Sequence, residues 1–402
     1  NVMGKVGYQF DSHWRSDVNF VYSNNRAGDP GQNGYKPVNP WEANLSEAVS
    51  EYETVSGMVS GSVSHDHGRT KGKFTVFHNG GDGNWLNQNK YDFPTLHTNM
   101  MTQYSMDGFR WKEQFSPWKG GLLSGGIDNE WTNGKVNNLS RTNGSVLYEV
   151  IAPTFRLTSP YISFNQDIVL NQKWTLVPST GVRFYEHSHY KSKASPHAGL
   201  SLVSEDLTLF GNVSNGVNYP GVDAAVNSGI MSKIPFPFFP PAGSMPWFSP
   251  SSWHNLSPET SDHAEVGLKA SPFKGTNVDL SFFIDNVKNR YVFNVMQGSY
   301  FNYGSYWMRG LEASIKQELF ADWSMFAGLT ILNPSISNLP YTPTDSVTAG
   351  INGPLGPFRL SFDMQYQSRV WSLNRDRNTG LSNNQQVDAF TVANARVAYP
   401  MP

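Results

Sequence analysis

The chain has 402 residues, with 30 Lys or Arg against 32 Asp or Glu, no cysteine, and 14% Phe, Trp and Tyr. Charged residues (15%) and hydrophobic residues (38%) both fall below the usual ~25% and ~45–50% of globular proteins, and 36 Gly and 25 Pro stand in their place. Disulfide scaffolds, thiolate metal sites and cysteine nucleophiles are thereby excluded, a net charge of −2 gives no electrostatic case for nucleic acid, and without an apolar run of ~18 residues there is no transmembrane helix.

Helical periodicity is nearly absent, whereas period-2 alternation recurs from end to end. It runs weakly through 55–63, 207–213 and 264–268. In 278–285 it is clear: Val278, Leu280, Phe282 and Ile284 alternate with Asp279, Ser281, Phe283 and Asp285. In 311–319, Leu311, Ala313, Ile315 and Leu319 oppose Glu312, Ser314, Lys316 and Glu318, and the pattern returns in 323–331, 358–367 and 393–399. Short turns at 10–13, 171–173, 204–206, 273–275, 320–322 and 354–356 alternate with long Gly/Asn/Pro-rich loops at 24–50, 80–92, 134–146, 216–255 and 372–386. One tight end, one ragged end and strands of ~10 residues with one apolar and one polar face predict an all-β, antiparallel transmembrane β-barrel. Trp14, Tyr22, Trp111, Trp174, Tyr185, Trp323 and Tyr399 suit interfacial girdles. The competing folds, a secreted sandwich or propeller, lack support: no repeat of ~40–50 residues is found, and the polar face carries charge (Glu265, Lys269, Arg359, Asp363) while the other face carries almost none.

Four stretches carry a family resemblance. They are Ser195-Pro196-His197-Ala198-Gly199-Leu200-Ser201 with Asp206-Leu207-Thr208-Leu209-Phe210; Leu256-Ser257-Pro258-Glu259-Thr260-Ser261 with Glu265-Val266-Gly267-Leu268-Lys269; Asn302-Tyr303-Gly304 with Arg309-Gly310-Leu311-Glu312; and Leu339-Pro340-Tyr341-Thr342-Pro343 with Thr348-Ala349-Gly350. In this order they resemble segments of the TonB-dependent outer-membrane receptors, with the likeness carried by roughly 174–399. The resemblance implies a 22-stranded barrel in the bacterial outer membrane around a plug domain, with Glu265 and Glu312 facing the lumen. About 17 strands are counted within 1–402, and their parity matches strands 4 to 20 of such a barrel. A single barrel domain, incomplete at both ends and without plug or TonB box, is therefore expected.

No catalytic constellation is present: neither a nucleophile elbow nor His-Glu-x-x-His occurs in the required context, so an enzyme is not expected. Arg183, Tyr185, His187 and His189 share the lumenal parity at the end of one strand, two imidazoles there being suited to haem iron or copper. Phe238, Phe239, Trp247, Trp253 and His254 concentrate in the loop 216–255, whose prolines (Pro235, Pro237, Pro240, Pro241, Pro246) forbid a helix over 234–248. Such an aromatic surface suits a planar ligand. Arg309, with Arg290 and Arg369, is a candidate partner for an anionic chelate. His65 and His67 are read as a solvated turn. The resemblance implies a receptor that imports a scarce metal-bearing nutrient, a ferric siderophore first, with haem, cobalamin, a copper chelate or an oligosaccharide as alternatives. It also implies the TonB complex, outer-membrane lipid and lipopolysaccharide as partners, a monomer, no nucleic acid and no intrinsic cofactor or metal. A passive porin or adhesin-type barrel is the alternative from another class.

Overall fold

The computed structural model describes residues 1–28, 51–90, 93–140, 143–233, 253–294, 299–375 and 382–399. Strands β1 (Val2–Gln9), β2 (Trp14–Gly28), β3 (Glu51–Asp66), β4 (Thr70–Lys90), β5 (Phe93–Phe115) and β6 (Gly121–Ser140) come first. β7 (Val146–Ile151), β8 (Phe155–Gln166), β9 (Ile168–Val169), β10 (Thr175–His187), β11 (Lys193–Val203) and β12 (Leu207–Asn218) follow. Helix α1 (Val222–Lys233) and a 3-10 turn (Trp253–Asn255) precede β13 (Glu259–Ala270), β14 (Thr276–Lys288) and a small hairpin of β15 (Tyr291–Asn294) and β16 (Ser299–Asn302). The chain then runs through β17 (Tyr306–Glu318), β18 (Ser324–Pro334), β19 (Asp345–Leu355) and β20 (Phe358–Gln367). A second hairpin, β21 (Val370–Arg375) and β22 (Ser382–Val387), leads to β23 (Phe390–Ala398).

Seventeen of these strands form one antiparallel meander, β1 to β6, β8, β10 to β14, β17 to β20 and β23, with β7 and β9 attached as short branches. The count read from the sequence is thus met. Among the described residues β1 and β23 each pair on one side only. Left-handed backbone at Gly275, Ala321, Asp322 and Gly356 closes tight turns at one end. Helix α1 and the two hairpins all sit at the other.

Cross-strand registry shows the two faces directly. One row runs Leu200, Gly211, Val266, Phe282, Leu311, Ile331. The adjacent row runs Ser201, Phe210, Gly267, Ser281, Glu312, Thr330, Ser346. In the first, Leu200 is 52%, Val266 61% and Phe282 49% exposed. A sheet in water would hide such a row; a wall facing lipid presents it and turns the polar row to the lumen. Glu265 and Glu312 lie on the inner face as expected, along one concave polar surface with Ser281 and Thr330.

Three expectations change. Strands β4, β5 and β6 are 21, 23 and 20 residues long and run on through 80–90 and 134–140, which composition marks as loop. Gly and Asn offer the same ladder groups as any residue, and pairing such as Trp85 with Met100 and Met100 with Asn138 overrides their weak strand preference. The loop 216–255 begins with α1, whose Ala224, Ala225 and Val226 are buried and whose first turn carries Asp223 at the positive end of the helix dipole. Tyr185 faces the lumen with Arg183, so it is no girdle residue, whereas Trp14, Trp111 and Tyr399 stand exposed at the turn end.

Gly267 and Gly310 earn their place by cross-strand approach: the Phe210 ring covers one and the Phe283 ring the other, where an added Cβ would collide. Gly310→Val should destabilise the barrel by about 1–3 kcal/mol, as overpacking does. In combination with Phe283→Ala the loss should be smaller than the sum of the two single variants, read by denaturant unfolding of the detergent-solubilised protein.

Candidate functional site

At the loop-bearing end, the parity of β10 aims Arg183 into the lumen. Its Nη1 donates to Asp128 Oδ2 at 2.6 Å, and the guanidinium lies 4.4 Å from the centre of the Tyr161 ring. Four residues on, His187 ends the strand and is 9% exposed. There the chain turns away from the sheet: Ser188 N donates to Arg156 O (2.9 Å), and Ser188 Oγ accepts from Arg156 N (3.0 Å). His189 N donates to His187 Nδ1 at 3.1 Å, so that nitrogen is an acceptor and the ring proton sits on Nε2.

Rings converge on this bend. His187 stacks on Tyr219 (4.9 Å, 20° between planes) and meets Tyr190 at 4.8 Å and Phe155 at 5.1 Å. Phe155, 4% exposed, also meets His189 at 4.9 Å and Trp253 at 5.3 Å. His254 lies against Trp253 at 3.6 Å, and Tyr185 reaches Tyr219 at 6.3 Å. Buried Val136, Ala152, Ala224 and Leu256 pack in the same cluster. The structure brings together His187 and His189 of the strand end with Trp253 and His254 of the loop, two features the sequence shows only separately, and adds Phe155, Tyr190 and Tyr219. These three have no signal in the sequence, since nothing local links position 155 to 219 or 253.

Burial, with the nearby His254, holds His189 below the ordinary histidine range. Burial, with Tyr185 beside it, pushes Tyr219 up to about 12, and Tyr190 is raised by burial and by Asp223. Among the described residues no three His, Asp or Glu side chains are grouped as a metal would require. Phe238, Phe239 and Trp247 lie outside the described residues.

Arg309 requires a correction. It pairs directly with Ile284 and shares a parity with Leu311 and Ile315, so it stands on the outward face and not in the lumen. Arg290 instead donates to Tyr306 Oη at 2.7 Å, and Arg369 to Gln386 Oε1 at 3.4 Å. At the opposite end His65 and His67 lie beside the tight turn as expected, His67 stacked on His13 at 4.7 Å and His65 Nε2 3.1 Å from Glu113.

A meander with an apolar outer wall, a charged inner wall and a loop-borne aromatic cluster defines an outer-membrane β-barrel. Residues 4–402 match the family described as TonB dependent receptor-like, beta-barrel, and the chain belongs to it. Its fold is similar to that of the siderophore receptor PirA from Acinetobacter baumannii (TM-score 0.73, 14% identity, 99% of this chain and 64% of that one). It is also similar to the copper transporter OprC (0.72, 12%, 98% and 63%) and to the FrpB iron transporter from Neisseria meningitidis (0.71, 12%, 99% and 64%). At such identities the likeness is one of fold, and the chain spans just under two thirds of the length of these proteins. No curated protein matches it by sequence.

The lowered folded-state pKa of His189 makes the unfolded form bind protons first as pH falls below the usual 6.5. The stabilisation is therefore complete above that value and is lost as pH drops through the lowered folded value. Between pH 7 and 5 the environment of Trp253 should open, seen as the fluorescence difference between wild type and Trp253→Phe. In His189→Gln this pH step should shrink.

Proposed function

We propose that the chain is the barrel part of an outer-membrane receptor that binds a ferric siderophore on its loop-bearing side and imports it with energy coupled through TonB. The observation that carries this reading is the ring cluster of Phe155, His187, Tyr190, Tyr219 and Trp253, standing above a polar lumen wall in a chain of this family. The accessible rings at its edge, exposed His189 and His254 and the part-exposed Tyr219 and Trp253, suit a planar, anionic chelate, with buried Phe155, His187 and Tyr190 holding them in place, and Arg183 offers it charge-assisted donors from below. Phe238, Phe239, Trp247 and His254, from the same loop as Trp253, belong to the proposed surface. The similarity to siderophore receptors and an iron transporter supports iron as the metal.

A copper chelate is the second reading. It is favoured by the chain of His187, His189, Trp253 and His254 contacts, by the lowered pKa of His189, which favours the neutral form that ligates metals, and by the similarity to a copper transporter. On either reading the plug, the TonB box and the TonB complex are partners of the whole protein.

Calorimetry of the full-length protein against ferric catechol siderophores, haem, cobalamin and copper chelates tests the reading. A ferric siderophore should bind, and Trp253→Ala should weaken it about tenfold, roughly 1.4 kcal/mol. If haem or copper alone bound, and His187→Ala with His189→Ala abolished that binding, the siderophore assignment would be replaced. Iron uptake from the siderophore should vanish in a host lacking TonB.

A further inference from the structure

Arg309 serves neither the lumen nor the loop cluster. Its exposed guanidinium lies 4.5 Å from the centre of the Trp307 ring and, among the described residues, has no acidic partner. The sheet surface beside it is furrowed. Ala198, Gly211 and Ala264 are small where Leu200, Val266 and Phe282 stand proud, leaving an apolar trough of about 810 Å3 that reaches Arg309. The trough follows the registry across five strands, β17, β14, β13, β12 and β11.

Its slope follows from strand tilt. Arg309 stands nine residues from Glu318, the turn-side end of β17, whereas Ala198 stands five from Val203, the turn-side end of β11. For strands tilted by about 35–45° through an apolar band about 25 Å tall, the trough descends from the loop-side boundary of the band toward its middle. The boundary is marked independently. Just beyond Arg309 on the same face, Lys288 Nζ bonds Asp262 Oδ2 (2.7 Å) and Asn215 Nδ2 bonds Asp262 Oδ1 (2.8 Å). This leaves Arg309 as the uncompensated charge at the trough mouth.

We propose that the trough is a binding site for a phosphate-bearing membrane lipid, with one acyl chain along the furrow and the phosphate on Arg309. A guanidinium fork matches phosphate oxygens in a bidentate manner, and Trp307 sits at the depth where indole rings favour head groups. A second protein seated on this apolar strip would have to bring its own carboxylate to the guanidinium or bury it unpaired, whereas a phosphate-bearing lipid carries both the anion and the apolar chain. Charge complementarity therefore selects the lipid. The inference rests on the lipid-facing orientation of this wall and not on the transported cargo.

The test is native mass spectrometry of the full-length protein in detergent, titrated with phosphatidic acid or with diacylglycerol of the same chains. Wild type should prefer phosphatidic acid, and Arg309→Ala should lower its binding about tenfold, to the diacylglycerol level, one charge-assisted contact being of that size. Arg309→Lys should keep part of the preference. Gly211→Leu should lower binding of both lipids by filling the furrow. It leaves the fold intact, since a Cβ there meets Val266 Cγ1 at 3.5 Å and Glu265 O at 3.6 Å, ordinary contacts; heat-modifiable gel mobility checks this. Equal binding of the two lipids by wild type, or unchanged phosphatidic acid binding in Arg309→Ala, overturns the proposal. A dimer that survives delipidation and is lost in Gly211→Leu would also overturn it, making the strip a protein interface.

Discussion

Inside a bilayer no water answers a backbone amide, so every N–H and C=O of a spanning segment must find its partner on a neighbouring strand. That single requirement organises the molecule. It demands antiparallel neighbours in sequence order, which the meander from β1 to β23 supplies. It also frees the side chains from making a core. Between β1 and β23 the ladder is satisfied by backbone alone, so apolar residues such as Leu200, Val266 and Phe282 can stand on the outer surface. Serines, Glu265 and Glu312 line the inside.

The polarity rule reverses where the requirement lapses. Beyond the lipid band water is available again, and there the protein buries apolar residues in the ordinary way: Phe155, Tyr190, Ala224 and Leu256 close a small core under α1 and the Trp253–Asn255 turn. The histidine and tyrosine rings belong to that core as much as to any ligand surface. His187 has one ring nitrogen committed to the chain bend, and its neighbours are aromatic faces rather than further donors. These ring contacts hold the bend from inside the core.

Arg309 illustrates how far a single parity step matters. It adjoins Gly310, whose row faces the lumen, yet residues one apart on a strand face opposite ways. Its partner Ile284 assigns it to the outer wall. The same logic explains why Arg183 does reach the lumen: it lies opposite Tyr161 and bonds Asp128.

Much of the fold was legible in the residues alone because a strand's period is local. The alternation in 278–285 and 311–319, the asymmetry of turn and loop lengths, and the low charge together required a lipid-facing meander and the number of its strands. The ends of β4, β5 and β6 were not legible, since Gly and Asn pair or do not pair according to what the neighbouring strand offers. Nor was α1, one short helix held by burial of its alanines against residues distant in the chain. The sequence by itself determined the class of protein, the direction of its faces and the family resemblance later borne out over residues 4–402. Only the tertiary structure decided which aromatic residues meet and on which wall each arginine stands. Phe155, His187, Tyr219 and Trp253 are brought together by contacts spanning up to a hundred residues, and no local pattern encodes a contact of that separation.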